Sequence, residues 1–186
     1  VTLLPNGIDT LTESDKPEIA TKIKAHVSAM YARLKDGRPI HQRDPLFVEL
    51  AQRHYLLTTD LGDPYVYRWD TDPATSPFGD VLTPLPDSGI VDFTNPAAYA
   101  WWRDQHKKLI DDGVDAFEAG FGEQVPVDAV AFNGDHGTRL HNVYPQLFNQ
   151  CVHDAAARFQ PKEAGPAVIW SRAGWSASQR HPVGWV

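Results

Sequence analysis

The stretch DAFEAGFGEQ, residues 115–124, places carboxylates around a glycine where an apolar segment meets a polar loop. Alternate residues of a strand share a face, so Glu118 and Gly120 are expected to point the same way, with Glu123 just past the strand end. Carboxylates in such a place can act as general acids, general bases or nucleophiles. They can equally be a solvated loop acid or a charge paired inside the fold, and Gly120 itself carries no reactive group.

The elements that must position these carboxylates form a regular pattern from residue 88 onward. Strands and helices alternate over residues 89–93, 96–112, 114–121, 143–159 and 167–173. The β-α-β-α-β order predicts neighbouring parallel strands with right-handed crossovers and both helices packed on one side of the sheet.

The first half of the chain is less regular. The spacing of apolar residues predicts a helix over 17–35, beginning at a proline, and a shorter helix over 44–54. Residues 60–88 are rich in Pro, Asp and Gly and indicate an irregular excursion with a short strand at YVYRW. We therefore divide the chain into an N-terminal polar and helical segment, 1–40, and the α/β part, 41–186.

Two architectures fit the α/β part, a doubly wound sheet and a (β/α)8 barrel. A doubly wound sheet would favour a G-x-G-x-x-G turn after a strand, and the sequence has none. In a barrel, function lies in the loops after the strands, and the polar loop over 121–142 follows the second strand. The barrel is favoured, although 186 residues fall short of the roughly 250 of a typical barrel, so part of a barrel is expected.

Composition narrows the classes of partner. The net charge is −7 with both signs mixed along the chain, which argues against nucleic acid or an anionic membrane surface. No apolar run approaches the roughly 18 residues of a membrane span, and no signal peptide is visible, so a cytoplasmic location is expected. Cys151, the single cysteine, lies on the apolar stripe of a predicted helix and is expected to be buried and inert.

Several motifs taken together are similar to those of glycoside hydrolase family 31. They are VDFTNPAAYAWW, GVDAFEAGFGEQVP, FNGDHGTRLHNVYP and WSRAGWSASQRHPVGW, all within residues 88–186. The resemblance is fainter over 42–70 and is not seen over 1–40. It implies a catalytic (β/α)8 barrel that cleaves α-glycosidic bonds with retention, using two carboxylates about 5 Å apart and no cofactor or metal.

The resemblance also implies roles for particular positions. The family's nucleophile motif, F-x-x-D-F-G-E, matches residues 117–123, so Gly120 occupies the position where an aspartate is expected. Glu118 takes the place of a lysine that often contacts sugar. Arg172 matches the arginine that binds substrate hydroxyls, and Phe121, Glu123 and Trp185 match the walls of the sugar site. The acid/base aspartate is expected beyond Val186.

These departures predict that the chain as written does not hydrolyse α-glycosides at an enzymatic rate. Glu118 lies two residues back from Gly120, roughly 6–7 Å by strand rise, which argues against its replacing the missing carboxylate. The implied partners are an oligosaccharide or other α-glycoside, and the remainder of a barrel or a second copy of the chain. The alternative is a non-catalytic carbohydrate-binding or interaction protein derived from the same barrel.

Overall fold

The computed structural model describes residues 2–4, 7–9, 16–35, 44–68, 87–120 and 122–181. The helices are α1 (Pro17–Lys35), α2 (Pro45–Gln52), α3 (Pro96–Asp111), α4 (Gly137–Leu140) and α5 (Tyr144–Phe159). The strands are β1 (Thr2–Leu4), β2 (Gly7–Asp9), β3 (Phe117–Ala119) and β4 (Ile169–Ser171). Strands β1 and β2 form an antiparallel pair. Within these residues no helix is both long and apolar enough to cross a membrane.

The predicted helices are confirmed. Local capping signals set the starts of α2 and α3 and the end of α3. Asp44 accepts hydrogen bonds from the backbone N–H groups of Leu46 and Phe47 at the start of α2. Asn95 caps α3 through the N–H of Ala97, and a proline follows each cap. Gly113, with φ +103°, ends α3 in the left-handed conformation that favours glycine.

Strands β3 and β4 are parallel neighbours joined by α5, as the sequence predicts. Phe117 pairs with Ile169 and Ala119 with Ser171. Ala119, Ile169 and Val152 of α5 are fully or almost fully buried together. The opposite face of the pair carries Glu118 and Trp170, which are exposed. One face of this β-α-β unit is therefore covered by helix, and the other is open in the described part of the chain.

Helices α3 and α5 pack on each other through both apolar and polar contacts. The Tyr99 hydroxyl donates to Asp154 at 2.6 Å, and the Cys151 thiol lies 3.5 Å from the Tyr99 carbonyl oxygen. Cys151 is completely buried, and burial raises the pKa of its thiol to about 12. The expectation of a buried, inert cysteine is confirmed.

The predicted parallel strand at 89–93 is wrong. Val91 instead forms an antiparallel bridge with Leu56, through bonds from Leu57 N–H to Ile90 O and from Asp92 N–H to Tyr55 O, each 2.8 Å. The aromatic ring of Phe93, stacked on Phe148 at 5.5 Å, then lies in the apolar core beside this segment. The YVYRW strand is reduced, within residues 65–68, to a bridge between Tyr67 and Ser88.

The polar loop after β3 is packed onto the core. Val125, Ala129 and Ala131 are buried, and Val130 bridges to Thr58. Asp92, 3% exposed, accepts bonds from the N–H and hydroxyl of Thr94 at 2.9 and 2.6 Å and from Phe132 N–H at 2.6 Å. This carboxylate ties the loop to the start of α3, because a buried charge needs such partners.

Gly137 is required where α4 begins against the loop. A Cβ added there would lie 1.6 Å from the Pro126 carbonyl oxygen. We expect Gly137→Ala to lower the free energy of unfolding by about 3 kcal/mol, since backbone must move to relieve the overlap. Gly120→Ala is the matched control. Its added Cβ would lie 3.4 Å from Glu118 Oε1, the nearest described atom outside its chain neighbours, and its φ is ordinary. This substitution should change the free energy of unfolding by less than about 1 kcal/mol. Equal urea midpoints for both variants would contradict this packing.

His181 gives the fold an acid-sensitive contact. It is 4% exposed, its ring centroid lies 4.8 Å from that of His153, and neither ring nitrogen has a hydrogen-bond partner in the described structure. Burial, aided by His153 and Arg180, lowers the pKa of His181, while Asp154 opposes the shift. The unfolded chain therefore binds the proton first, and stability should fall as the pH drops through about 6.5.

The His181→Phe variant should lose part of this dependence. We expect a smaller decline in unfolding free energy between pH 7.5 and 5.5 for this variant than for the parent chain, measured by urea denaturation. His136→Phe, at a half-exposed ring, serves as the control and should retain the full decline. Parallel curves for the parent and His181→Phe would refute the assignment.

Candidate active site

The register of β3 and β4 brings two sequence-predicted positions to one edge of the sheet. Ala119 pairs with Ser171, so Gly120 and Arg172 each follow the last paired residue of their strand. The Arg172 N–H donates to the Ala119 carbonyl oxygen at 3.3 Å. This is the carboxyl-terminal edge of parallel strands, where side chains from different strands can act on one ligand.

Arg172 and Glu123 form an ion pair at this edge. The Arg172 Nη2 atom contacts Glu123 Oε1, and the two side chains are 28% and 40% exposed. Gly122, with φ +107°, provides the turn between β3 and Glu123. The other carboxylate oxygen, Glu123 Oε2, is buried with no hydrogen-bond partner among the described atoms. The pair orients the Arg172 guanidinium at this edge.

Gly120 has room for a side chain. An added Cβ would meet only the Glu118 side chain within 4 Å, apart from its chain neighbours and among the described residues, at 3.4 Å from Oε1 and 3.9 Å from Cδ. The glycine is therefore not needed for a left-handed turn or a close backbone approach. The Glu118 side chain reaches toward position 120, so the rise of two strand residues does not separate its carboxylate from that position.

An apolar cavity of about 320 Å³ adjoins Gly120. Its lining includes the backbone of Gly120 and Gly122 and a group of aromatic side chains, Phe93, Trp102, Tyr144 and Phe148. The Tyr144 hydroxyl donates a hydrogen bond to the Val91 carbonyl oxygen at 2.7 Å, so its aromatic ring lines the cavity. Sequence analysis names none of these four aromatic residues as site residues, although Phe93, Trp102 and Tyr144 lie within the family-like motifs.

Some of the predicted site positions stay predictions. Phe121 and Trp185 lie outside the described residues, and the expected acid/base aspartate lies outside the sequence. In the loop, His141 Nδ1 contacts the Val125 carbonyl oxygen at 2.7 Å, and the ring of His136 lies 4.0 Å from Asp60 Oδ1. The described part of the chain contains no group of three or more His, Cys, Asp or Glu residues placed to hold a metal ion.

A strand followed by a helix is the repeating unit of α/β barrels, and their active sites lie at the carboxyl ends of the parallel strands. The family model described as the glycosyl hydrolases family 31 TIM-barrel domain matches residues 6–186. The chain belongs to this family, which confirms the resemblance that its motifs indicate.

Curated relatives agree with the family and give the scale of the match. The chain is 38% identical over 135 residues to the alpha-xylosidase XylQ of Lactiplantibacillus pentosus, covering 72% of the chain and 16% of the relative. It is 32% identical over 134 residues to a sulfoquinovosidase of Escherichia coli K12, covering 72% and 17%. Both relatives are O-glycosyl hydrolases, and the chain spans about a sixth of their length.

Solved structures show the same fold. A family 31 sulfoquinovosidase from E. rectale, in complex with an aza-sugar inhibitor, superposes with a TM-score of 0.62 at 29% identity, covering 76% of this chain and 19% of that one. A cycloalternan-forming enzyme from Listeria monocytogenes, in complex with a pentasaccharide substrate, superposes with a TM-score of 0.61 at 30% identity, covering 81% and 13%.

The Arg172–Glu123 pair should be worth more than a surface pair. We expect a double-mutant cycle of Arg172→Ala and Glu123→Ala to give a coupling of about 1 kcal/mol at low salt, at the upper end for partly exposed pairs. The same cycle on Arg53 and Glu49, an exposed pair within α2, should give about 0.3–0.5 kcal/mol. Urea unfolding measures both, and 1 M NaCl should reduce both couplings. A coupling near zero at Arg172 would show that the contact does not persist in solution.

Proposed function

We propose that the protein carrying this chain is a retaining α-glycoside hydrolase, and that the chain supplies two adjacent strands of its closed (β/α)8 barrel. One observation carries the proposal. Arg172, paired with Glu123, and the Gly120 position lie at the same carboxyl-terminal edge of β3 and β4. A planar guanidinium held in this way can bind two neighbouring sugar hydroxyls.

The open face of the β3–β4 pair supports a larger barrel. Trp170 is 53% exposed there, beside Glu118 in the paired register. Parallel sheets are normally covered on both faces, so this open face is one that further parts of the protein would cover. We propose that further barrel strands, in the same polypeptide or in an associated one, cover it.

The substrate we propose is an α-linked sugar, as an oligosaccharide or a simple α-glycoside. The name alpha-xylosidase supports an α-linkage. The name sulfoquinovosidase indicates a different sugar, so the two names together do not choose the sugar.

A carbohydrate-binding protein without catalysis is the second candidate. It is favoured by Gly120, because retention requires a carboxylate that attacks the anomeric carbon, and glycine cannot supply one. Both candidates predict that the site binds sugar, and they differ only in turnover.

Binding and turnover can be measured on the same proteins. Each protein contains this chain together with any residues that its reading frame encodes before and after it. We expect Arg172→Ala to weaken binding of methyl α-glucoside or methyl α-xyloside at least tenfold by calorimetry, a loss of about 1.4 kcal/mol. Arg53→Ala, which removes an exposed arginine from α2, should leave binding unchanged. Equal affinity in the parent and Arg172→Ala would place the sugar elsewhere.

Turnover separates the two candidates. A hydrolase should release the aryl group from an aryl α-glucoside or α-xyloside and give the α-anomer as the first product by NMR. Binding without turnover, in the parent and in Gly120→Asp, would identify the non-catalytic candidate. Neither binding nor turnover in any variant would contradict both.

A further inference from the structure

Glu118 places a carboxylate where the family position has lost one. The Oε1 atom lies 3.4 Å from where the Cβ of a residue at 120 would be. An aspartate's own carboxylate oxygens lie roughly 2.4 Å from its Cβ by standard bond lengths. The Glu118 oxygen is therefore only about 1 Å farther from the Cβ position at 120 than an aspartate's own oxygen would be. The longer glutamate side chain makes up most of the distance between residues 118 and 120 along the strand.

The surroundings of Glu118 leave its carboxylate open to a ligand. Its side chain projects from the face of β3 that the helices do not cover, toward the edge where Arg172 lies. The other nearby carboxylate, that of Glu123, has one oxygen in the ion pair with Arg172. No described side chain forms an ion pair with Glu118 within 4.0 Å. A positively charged group beside Glu118 would therefore be stabilised by its carboxylate.

We propose that Glu118 is the catalytic nucleophile of this protein, acting from residue 118 in place of the carboxylate absent at Gly120. The inference rests on the proposed function, because it needs an α-glycoside held at this edge. It revises the expectation, drawn from strand rise, that Glu118 is too distant to substitute.

The reaction that we propose for Glu118 is a displacement of the leaving group at the anomeric carbon. A lone pair of a Glu118 carboxylate oxygen forms an ester bond to the anomeric carbon as the bond from that carbon to the leaving group breaks, and the leaving group takes the bonding pair. A fluoride or aryl oxide leaves as an anion without a proton, whereas a sugar hydroxyl needs one from a carboxylic acid elsewhere in the barrel. Water then attacks the same carbon, restores the Glu118 carboxylate and yields the free sugar and one proton.

The Glu118 oxygen lies at least about 1 Å from where an oxygen of an aspartate at 120 would be, because two distances from the same Cβ set only the smallest separation, and a misplacement of 1 Å already predicts a slow reaction. A misplacement of this size can reduce a rate about 100-fold. The chain should therefore react through Glu118 more slowly than a variant in which the carboxylate is returned to position 120. This ratio distinguishes a relocated nucleophile from an acid that only lies nearby.

Covalent trapping tests the assignment. The probe is 5-fluoro-α-glucosyl fluoride, whose ester with the enzyme hydrolyses slowly and whose fluoride needs no proton to leave. The parent, Glu118→Gln and the double variant Gly120→Asp/Glu118→Gln are incubated with it, and the labelled residue is identified by peptide mass spectrometry. Glu49→Gln, which alters an exposed acid of α2, is the matched control.

We expect the parent and Glu49→Gln to carry the ester on Glu118, and Glu118→Gln to lose at least 90% of the labelling. The double variant should be labelled at position 120 about 100-fold faster than the parent is at Glu118. Labelling of the double variant without labelling of the parent, or a parent ester on Glu123, would overturn the inference and leave the proposed function intact. No labelling of any variant would overturn both.

Discussion

The parallel pairing of β3 with β4 is the constraint on which the site depends. Three residue pairs set the register, and buried Ala119, Ile169 and Val152 fix the strands against α5. A shift of β3 by one residue would turn Glu118 into this core and carry Ala119 out of it. The same register places Gly120 and Arg172 side by side at the carboxyl ends, so core packing and site geometry have one cause.

The chemistry at this edge follows from the placement of charge and not from strain. Gly120 has an ordinary backbone conformation and open space, whereas Gly122 and Gly137 are needed for a turn and for a close approach. The carboxylate of Glu118 therefore lies beside the position from which one is lost at 120, with its Oε1 atom 3.4 Å from where a Cβ at 120 would be. The Arg172–Glu123 pair keeps the remaining acid engaged, which leaves Glu118 to face a ligand.

Local signals made much of this structure predictable. Proline and a capping side chain define the starts of α2 and α3, and the alternation of strand and helix predicts the β3-α5-β4 unit. The prediction of a parallel strand at 89–93 was wrong, because this segment pairs with the distant residues 55–57 in an antiparallel bridge. The placement of Glu123 and Arg172 at one edge follows from strand order. Their ion pair and the reach of Glu118 depend on side-chain conformations that no sequence pattern encodes. The roles given to Phe121 and Trp185 stay predictions.

A crystal structure with a bound iminosugar would test the central claim most directly, that this edge is a sugar site with its carboxylate on residue 118. The ring nitrogen of such an inhibitor is a cation near the position of the anomeric centre. The account predicts a Glu118 carboxylate oxygen within about 3 Å of that nitrogen, with Arg172 bound to ring hydroxyls. An inhibitor held at this edge by a carboxylate from another strand, with Glu118 turned away, would contradict it.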